Sequence, residues 1–251
     1  MSLRSLIAGV FGSSPYPGSG PQRGKPLYDQ PFVAFTEFDR DALAELIGKV
    51  LRPGARMLEI GSWLGNGSTR TFAEHLIPQS GVLYCIDTWK GSVNVERHQK
   101  IVRDFDVFST FMRNIEAYGG NRVIRPIMMT SKEAAEIFPD RFLDLVFIDG
   151  DHSYDVVRED ICLWSPKVRD GGILCGHDCE IRAHRLSRDR LHGSRHLDTI
   201  DGPAPFARIH PGPILAVDEL LGEKAVLFAE TERTLPGRAS GFSSIWFREM
   251  D

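Results

Sequence analysis

Apolar runs alternate with amphipathic segments along most of the chain. Five short apolar runs predict β-strands, at residues 57–60, 82–86, 123–127, 143–148 and 172–175. Apolar residues at helical spacing predict helices before and between these strands, at residues 38–51, 69–76, 96–118, 131–138 and 154–164. This alternation predicts a doubly wound α/β fold with a mostly parallel sheet.

The last part of the chain departs from this alternation. Residues 225–230 and 243–248 predict two further strands, which are joined by a loop containing proline and glycine and have no helix between them. Strands connected in this way are expected to pair as an antiparallel hairpin. The full prediction is a seven-stranded, Rossmann-like sheet that ends in a C-terminal antiparallel hairpin.

The chain is predicted to contain an N-terminal arm and one folded domain. Residues 12–25 are rich in Gly, Pro and Ser and show no periodicity, so residues 1–30 are expected to form a flexible arm. With 251 residues, 42% of them apolar, the remainder is long enough for one α/β domain with a buried core, at residues 31–251. Residues 179–213 form an insertion after the fifth predicted strand.

Composition restricts the expected partners and location. A net charge of -4 indicates no general affinity for nucleic acid, and no apolar run approaches the roughly 18 residues that span a membrane. The four cysteines, at positions 85, 162, 175 and 179, contain no C-x-x-C pair. We therefore expect a cytoplasmic protein with reduced cysteines that acts on a small molecule. The sequence is compatible with a homo-oligomer.

The first two predicted strands end in residues typical of nucleotide binding. The first leads into a glycine-containing turn, Gly61–Ser68, where backbone can approach a ligand closely because glycine has no Cβ. The second ends in Asp87, and an acid at this place usually binds a ribose diol. The glycine spacing does not match the dinucleotide pattern G-x-G-x-x-G. Glu59, two residues before Gly61, suits a positively charged cofactor without phosphate, which indicates S-adenosylmethionine.

Acids and imidazoles follow the fourth and fifth predicted strands. The fourth strand ends in Asp149-Gly150-Asp151-His152, and the fifth ends in Gly176-His177-Asp178. Ligands bind outside the carboxyl ends of such strands in open parallel sheets. Asp149, His177 and Asp178 are therefore candidate ligands of a divalent metal, and His152 is a candidate general base. Mg²⁺ prefers oxygen ligands, so an imidazole in the set also admits Mn²⁺ or Fe²⁺.

Taken in order, these segments resemble the motifs of class I S-adenosylmethionine-dependent methyltransferases. The segments that carry the resemblance are Glu59–Gly65, Asp87–Gly91, Ser131–Ala135, Phe147–Tyr154 and Gly171–Asp178. The chain is most similar to the branch that contains macrolide-sugar O-methyltransferases and cephalosporin-hydroxylase-like proteins, over roughly residues 38–247. One departure is Asn66-Gly67, which makes the first loop one residue longer than is usual in the family.

The resemblance implies a role for each candidate residue. Glu59 is expected at the methionine end of the cofactor, Asp87 at the ribose and Ser131 near the adenine. The full set expected to bind cofactor is Glu59, Gly61, Ser62, Gly65, Ser68, Asp87, Thr88, Trp89, Ser131 and Asp149. In related metal-dependent members, the residues matching Asp149, His177 and Asp178 hold Mg²⁺ and the residue matching His152 is the base. Asp149 and His152 are thus the expected catalytic residues, and Asp151 and Tyr154 are expected to contact substrate.

The insertion is rich in basic residues. Between positions 182 and 196 it contains arginines at 182, 185, 188, 190 and 195 and histidines at 184, 192 and 196. One interpretation is a lid that binds an anionic substrate, with Arg185 and Arg188 in contact with it. The other is a solvated loop whose charges have no specific partner.

Functions from other classes also remain open. A glycosyltransferase could use Asp149-Gly150-Asp151 as a metal-binding D-x-D motif for a nucleotide sugar, but this leaves the Gly61–Ser68 loop unexplained. A non-catalytic protein could keep the S-adenosylmethionine loop without the acids, which are present here. A hydroxylase-like activity is compatible with the name of the resembling branch.

Overall fold

A computed structural model of the protein describes residues 35–93 and 95–251. The predicted flexible arm, residues 1–30, lies outside the described residues. None of the helices within the described ranges is long and apolar enough to cross a membrane.

A seven-stranded sheet forms the centre of the fold. Its strands are β1 (Arg56–Ile60), β2 (Val82–Asp87), β3 (Ile124–Met128), β4 (Leu143–Ile148), β5 (Val168–Gly176), β8 (Val226–Leu227) and β9 (Trp246–Glu249). The strand order is β3-β2-β1-β4-β5-β9-β8, with parallel pairing from β3 to β5. β9 pairs antiparallel with both β5 and β8. The predicted fold class, including the terminal hairpin, is therefore confirmed.

Helices cover both faces of the sheet and enclose two apolar cores. They are α1 (Glu37–Val50), α2 (Ser68–Leu76), α3 (Glu96–Asp104), α4 (Val107–Ala117), α5 (Ser131–Ala135), α6 (Tyr154–Trp164), α7 (Arg188–Ser194) and α8 (Pro211–Leu220). One core includes residues of α1, α2 and α4, and the other includes residues of α6 and α8. Strand residues alternate between the two, as expected when both faces of a parallel sheet are covered.

The predicted helix at residues 96–118 is wrong in one respect, because the chain forms two helices there. Phe105 ends α3 in an extended conformation. Asp106 then begins α4, since its Oδ1 accepts a hydrogen bond from the backbone N–H of Ser109 at 2.9 Å. An aspartate at this position satisfies one of the free N–H groups of the first helical turn. The break turns Phe108 and Phe111 towards Trp89.

The insertion at residues 179–213 is ordered rather than irregular. It contains α7 and a small antiparallel sheet of β6 (Ile200–Asp201) and β7 (Arg208–Ile209). Leu191 and Ile209 are buried in the core that also contains α6 and α8. The insertion is thus packed against the main domain through apolar contacts, and α8, which the sequence analysis did not predict, follows it directly.

Candidate functional site

One large cavity lies at the carboxyl ends of strands β1 to β5. Its volume is about 1060 Å³. It brings together most of the predicted site residues; those in its wall are Gly61, Ser62, Gly65, Ser68, Asp87, Thr88, Ser131, Asp149, Asp151, His152, His177 and Asp178. The position agrees with the rule for open parallel sheets.

The glycine loop after β1 runs closely beside the end of β4. Gly61 has a φ of +86°, and a Cβ at this position would lie 1.9 Å from the carbonyl oxygen of Asp149. Only glycine combines this conformation with so close an approach of two backbones. Gly61 therefore sets the distance between the predicted cofactor loop and the predicted metal ligand Asp149.

Glu59 lies beneath this loop rather than in the cavity wall. It is fully buried, and its Oε2 accepts hydrogen bonds from the hydroxyls of Ser62 and Thr69, both at 2.6 Å. Its Oε1 has no hydrogen-bond partner among the described residues. Burial raises the pKa of Glu59 to about 7, since a carboxylate removed from water is less stable. Glu59 thus supports the loop from behind and keeps one oxygen without a donor.

Asp87 connects two loops at the ends of β1 and β2. Its carboxylate accepts the backbone N–H of Trp63 at 2.8 Å and that of Trp89 at 2.6 Å. Both tryptophans have positive φ, 44° for Trp63 and 52° for Trp89, a conformation that is unfavourable for bulky residues. Burial raises the pKa of Asp87, although the backbone donors oppose this shift. Asp87 therefore holds two strained loops in place beside the cavity.

The two tryptophans have different positions relative to the cavity. Trp63 lines it and stacks on His98, with ring centroids 4.7 Å apart. Trp89 is not in the cavity wall: it is buried against Phe108 and Phe111, and its Nε1 donates to the carbonyl of Trp63 at 2.9 Å. Trp89 supports Trp63 from behind, and its predicted contact with a cofactor stays a prediction.

Asp178 is the centre of a cluster of histidines and acids at the ends of β4 and β5. His177 Nδ1 and His210 Nδ1 lie 3.0 and 3.4 Å from its Oδ1, and His152 Nε2 lies 3.0 Å from its Oδ2. Asp178 itself has a positive φ of 64°. Such strain persists where surrounding contacts over-determine the conformation, and it is common at functional sites. The three cations facing it hold the pKa of Asp178 well below its usual range despite burial.

Each imidazole also lies near a further carboxylate. Asp198 Oδ1 lies 2.7 Å from His152 Nδ1, Glu180 Oε1 lies 2.6 Å from His210 Nδ1, and Asp39 Oδ2 lies 3.4 Å from His177 Nε2. Burial alone would lower the pKa of His152 and His177, but the neighbouring carboxylates raise both pKa values well above the usual range. This arrangement favours the protonated forms of these imidazoles.

The donor atoms around His177 fit a divalent cation. Asp149, His177 and Asp178 each offer a ligand atom, and these atoms lie within 4.8 Å of one another. The Nε2 of His177 is buried without a hydrogen-bond partner in the described part of the chain, yet it faces Asp39. A histidine that binds metal through one nitrogen commonly directs its other N–H at a carboxylate. His152, Asp178 and His210 form a second group within the same limit.

Of the four residues predicted to contact substrate, one lies in the cavity wall and three lie outside it, and their predicted roles stay predictions. Asp151 lines the cavity, but its Oδ1 accepts the backbone N–H of Ser153 at 2.8 Å at the start of α6. The Tyr154 hydroxyl bonds to Glu219, away from the cavity. Arg185 and Arg188 are exposed and do not line the cavity.

The insertion nevertheless forms part of the cavity wall through residues the sequence analysis did not select. These are Glu180, Asp198, Thr199, Phe206, Arg208 and His210. Asp39 on α1 and Asp160 on α6 also line the cavity and were not selected. The only local signal was the pattern Thr36-x-x-Asp39, which predicts a capping box and does form one. That pattern places a helix start but does not indicate contact with His177.

A comparison with protein families identifies the central part of the chain. Residues 58–179 match the model of a family described as a methyltransferase domain. This part of the chain is therefore similar to a methyltransferase domain. The matched range begins in β1 and ends just after Asp178, so it contains the strand ends that surround the cavity.

One curated protein that is similar to this chain is distant in sequence. The chain is 29% identical over 101 residues to the protein y4gI of Sinorhizobium fredii, which is 40% of this chain and 10% of that relative. The chain therefore spans about a tenth of the relative's length.

Solved structures show the fold. The O-methyltransferase TomG of Streptomyces achromogenes, involved in tomaymycin synthesis and solved with S-adenosylmethionine, is 16% identical with a TM-score of 0.55 over 89% of this chain and 84% of that chain. An O-methyltransferase of Bacillus cereus, solved with S-adenosylhomocysteine, is 16% identical with a TM-score of 0.51 over 99% of this chain and 89% of that chain. The predicted class I methyltransferase fold is confirmed.

Proposed function

We propose that this protein is an S-adenosylmethionine-dependent O-methyltransferase that methylates a hydroxyl of a small molecule, such as a sugar or a natural product, with help from a divalent cation. The observation that carries the proposal is a single cavity bounded at one side by the Gly61–Ser68 loop and Asp87, and at the other by the cluster around Asp178. Methyl transfer needs a cofactor and an acceptor held side by side, because positioning contributes several kcal/mol of the barrier.

The cofactor side of the cavity suits S-adenosylmethionine. The carboxylate of Asp87 can accept the ribose hydroxyls while it retains its backbone donors. The loop after β1 offers close backbone approach at Gly61 and Gly65, and the unpartnered Oε1 of Glu59 beneath it favours a cation nearby. The bound S-adenosylmethionine of TomG and S-adenosylhomocysteine of the Bacillus cereus enzyme support the same assignment.

The acceptor side suits the removal of a hydroxyl proton. Asp149, His177 and Asp178 would hold Mg²⁺, or Mn²⁺ or Fe²⁺ in view of the imidazole. Such an ion polarises an acceptor oxygen and lowers its pKa. His152 is the proposed base: Asp198 holds its Nδ1, and its Nε2, which faces Asp178, would receive the acceptor proton in the form of His152 that has first lost its own proton from Nε2. The acceptor oxygen then forms a bond to the methyl carbon while the bond from sulfur to that carbon breaks, leaving neutral S-adenosylhomocysteine.

We further propose that residues 31–251 act as one domain and that the insertion at 179–213 covers the acceptor. Phe206 and Arg208, rather than the exposed Arg185 and Arg188, are the insertion residues placed to meet it. The glycosyltransferase alternative is disfavoured by the position of Asp151. Its carboxylate accepts hydrogen bonds from the backbone N–H and the hydroxyl of Ser153 at the start of α6, which disfavours a D-x-D metal site.

Replacing Asp87 with alanine tests the cofactor assignment. Hydrogen bonds to a charged group contribute roughly 1.5–3 kcal/mol each, so we expect the affinity for S-adenosylmethionine to fall at least about tenfold. Calorimetry on the purified parent and variant measures the affinity for S-adenosylmethionine. Titration of a nucleotide sugar into the parent protein tests the glycosyltransferase alternative. Asp104→Ala, which removes an exposed acid on α3, should bind as the parent does. Equal affinity in Asp87→Ala would remove Asp87 from the cofactor site.

Chelation tests the role of the cation. We expect a chelator to abolish methyl transfer, because the cation serves the acceptor hydroxyl, and to leave S-adenosylmethionine bound. Transfer of a labelled methyl group to a panel of sugar and natural-product hydroxyls measures the first effect, and calorimetry measures the second. Full turnover in chelator would rule out the cation, and return of activity with Mg²⁺ or Mn²⁺ would identify which ion is used.

A further inference from the structure

A buried acid on α6 lies in the cavity wall and has no role in the chemistry described so far. Asp160 is 3% exposed and lines the cavity. Ser131 donates its hydroxyl to one oxygen of Asp160, and Trp164 Nε1 donates to the same Ser131 oxygen at 2.7 Å. The described residues provide Asp160 with no lysine or arginine partner. A buried carboxyl without a cation is costly unless a ligand supplies a donor.

Sheet order locates the part of a cofactor that Asp160 would meet. With the ribose at Asp87 on β2 and the reacting methyl beside the cluster at the ends of β4 and β5, the base of the nucleoside must extend away from the cluster. β3 is the neighbour of β2 on that side, and Met129, Thr130 and Ser131 follow it in the cavity wall. This end of the cavity is where the purine lies.

The side chains at this end of the cavity match the apolar faces and the polar edge of a purine ring. Val156 and Asp160 are one helical turn apart on α6, so they occupy the same face of the helix, and both line the cavity. Met129 and Val156 offer apolar contact to the ring. Asp160 offers a carboxylate oxygen, since Ser131 occupies only the other one.

We propose that Asp160 accepts a hydrogen bond from the exocyclic amino group of the cofactor's adenine and makes the site selective for a 6-aminopurine. The inference rests on the proposed function, because it assumes that S-adenosylmethionine occupies this cavity. Burial raises the pKa of Asp160 to about 7, and the nearby Glu159 and Asp151 act in the same direction, while Ser131 opposes it. A donor from the purine supplies the stabilisation that the protein does not.

A pair of matched ligands tests the proposal. S-adenosylhomocysteine and its 6-deamino analogue, which carries hydrogen at position 6 of the purine, differ only in the amino group. Calorimetry on the parent protein should give at least about tenfold tighter binding of the amino form, the value expected from one hydrogen bond to a charged group. In Asp160→Asn, Ser131 still donates to Oδ1 and the amide nitrogen faces the purine, so the preference should vanish or reverse. Asp155→Asn, an exposed acid on the same helix, should retain the parent preference.

The outcomes separate this proposal from the one on which it rests. Equal affinity of the parent for the two ligands, or an undiminished preference in Asp160→Asn, overturns the role of Asp160 and leaves the methyltransferase function intact. Failure of the parent to bind either ligand overturns both. If Asp160→Asn does not fold, Ser131→Ala replaces it: the carboxylate then loses the hydroxyl that orients it, and an unchanged preference in that variant overturns the proposal.

Discussion

Replacing His152 with alanine is expected to lower the turnover number by about 10²- to 10⁴-fold, the usual contribution of a positioned general base. The expectation follows from the place of His152 between Asp178 and Asp198, which fix both of its ring nitrogens. Steady-state methyl transfer measures the effect, with cofactor affinity measured separately. His184→Ala, an exposed histidine outside the cavity wall, should turn over as the parent does.

The pH profile gives this variant a second readout. Neighbouring carboxylates raise the pKa of His152, so the protonated form, which cannot act as a base, persists to higher pH. Parent turnover should therefore rise with pH as His152 loses its proton, and His152→Ala should lack this limb. Near-parent turnover with the same pH dependence would leave His152 with a structural role only.

Replacing Gly61 with alanine is expected to destabilise the protein by about 2–5 kcal/mol and to weaken cofactor binding. The new Cβ would lie 1.9 Å from the carbonyl oxygen of Asp149, and the φ of +86° is unfavourable for alanine. Forced overpacking typically costs about 1–3 kcal/mol, and a left-handed conformation adds about 1–2 kcal/mol. Urea unfolding of parent and variant measures the loss.

Gly48→Ala is the matched control for this substitution. Gly48 lies within α1, and a Cβ there would have no atom within 4 Å. Alanine in a helix interior should stabilise the protein by roughly 0.5–1 kcal/mol. An unchanged unfolding midpoint in Gly61→Ala would show that the β1 and β4 ends separate easily, and the close packing of the loop against Asp149 would then have no energetic importance.

Strand ends were the part of the site that the sequence could predict. The apolar runs of β1, β2, β4 and β5 end where acids, glycines or histidines begin, and parallel strands bring those ends to one edge. For this reason Asp87, Asp149, His152, His177 and Asp178 were selected together, and all five line one cavity. Their functional roles remain predictions.

Contacts between distant segments could not be predicted in the same way. Asp39, Asp198 and His210 come from α1 and the insertion, and each reaches the cluster only through tertiary packing. Arg185 and Arg188 were predicted to contact substrate because the insertion is rich in arginine. Composition can be read from the sequence, but the direction of a side chain cannot. The break at Phe105 was missed because apolar residues continue at helical spacing on both sides of it.

The crowding of three imidazoles around Asp178 has a consequence for cation uptake. Burial would lower the pKa of His177, but Asp178, Asp39 and Asp149 raise it well above its usual range, and this favours the doubly protonated ring. A nitrogen that binds a metal must first give up its proton, and metal binding at such sites therefore releases protons to the solvent. Loading the proposed cation site would thus exchange one kind of positive charge for another: a proton on His177, which balances the buried acids, would leave as a divalent ion arrived. Acidic solution would favour the protonated state over the loaded one.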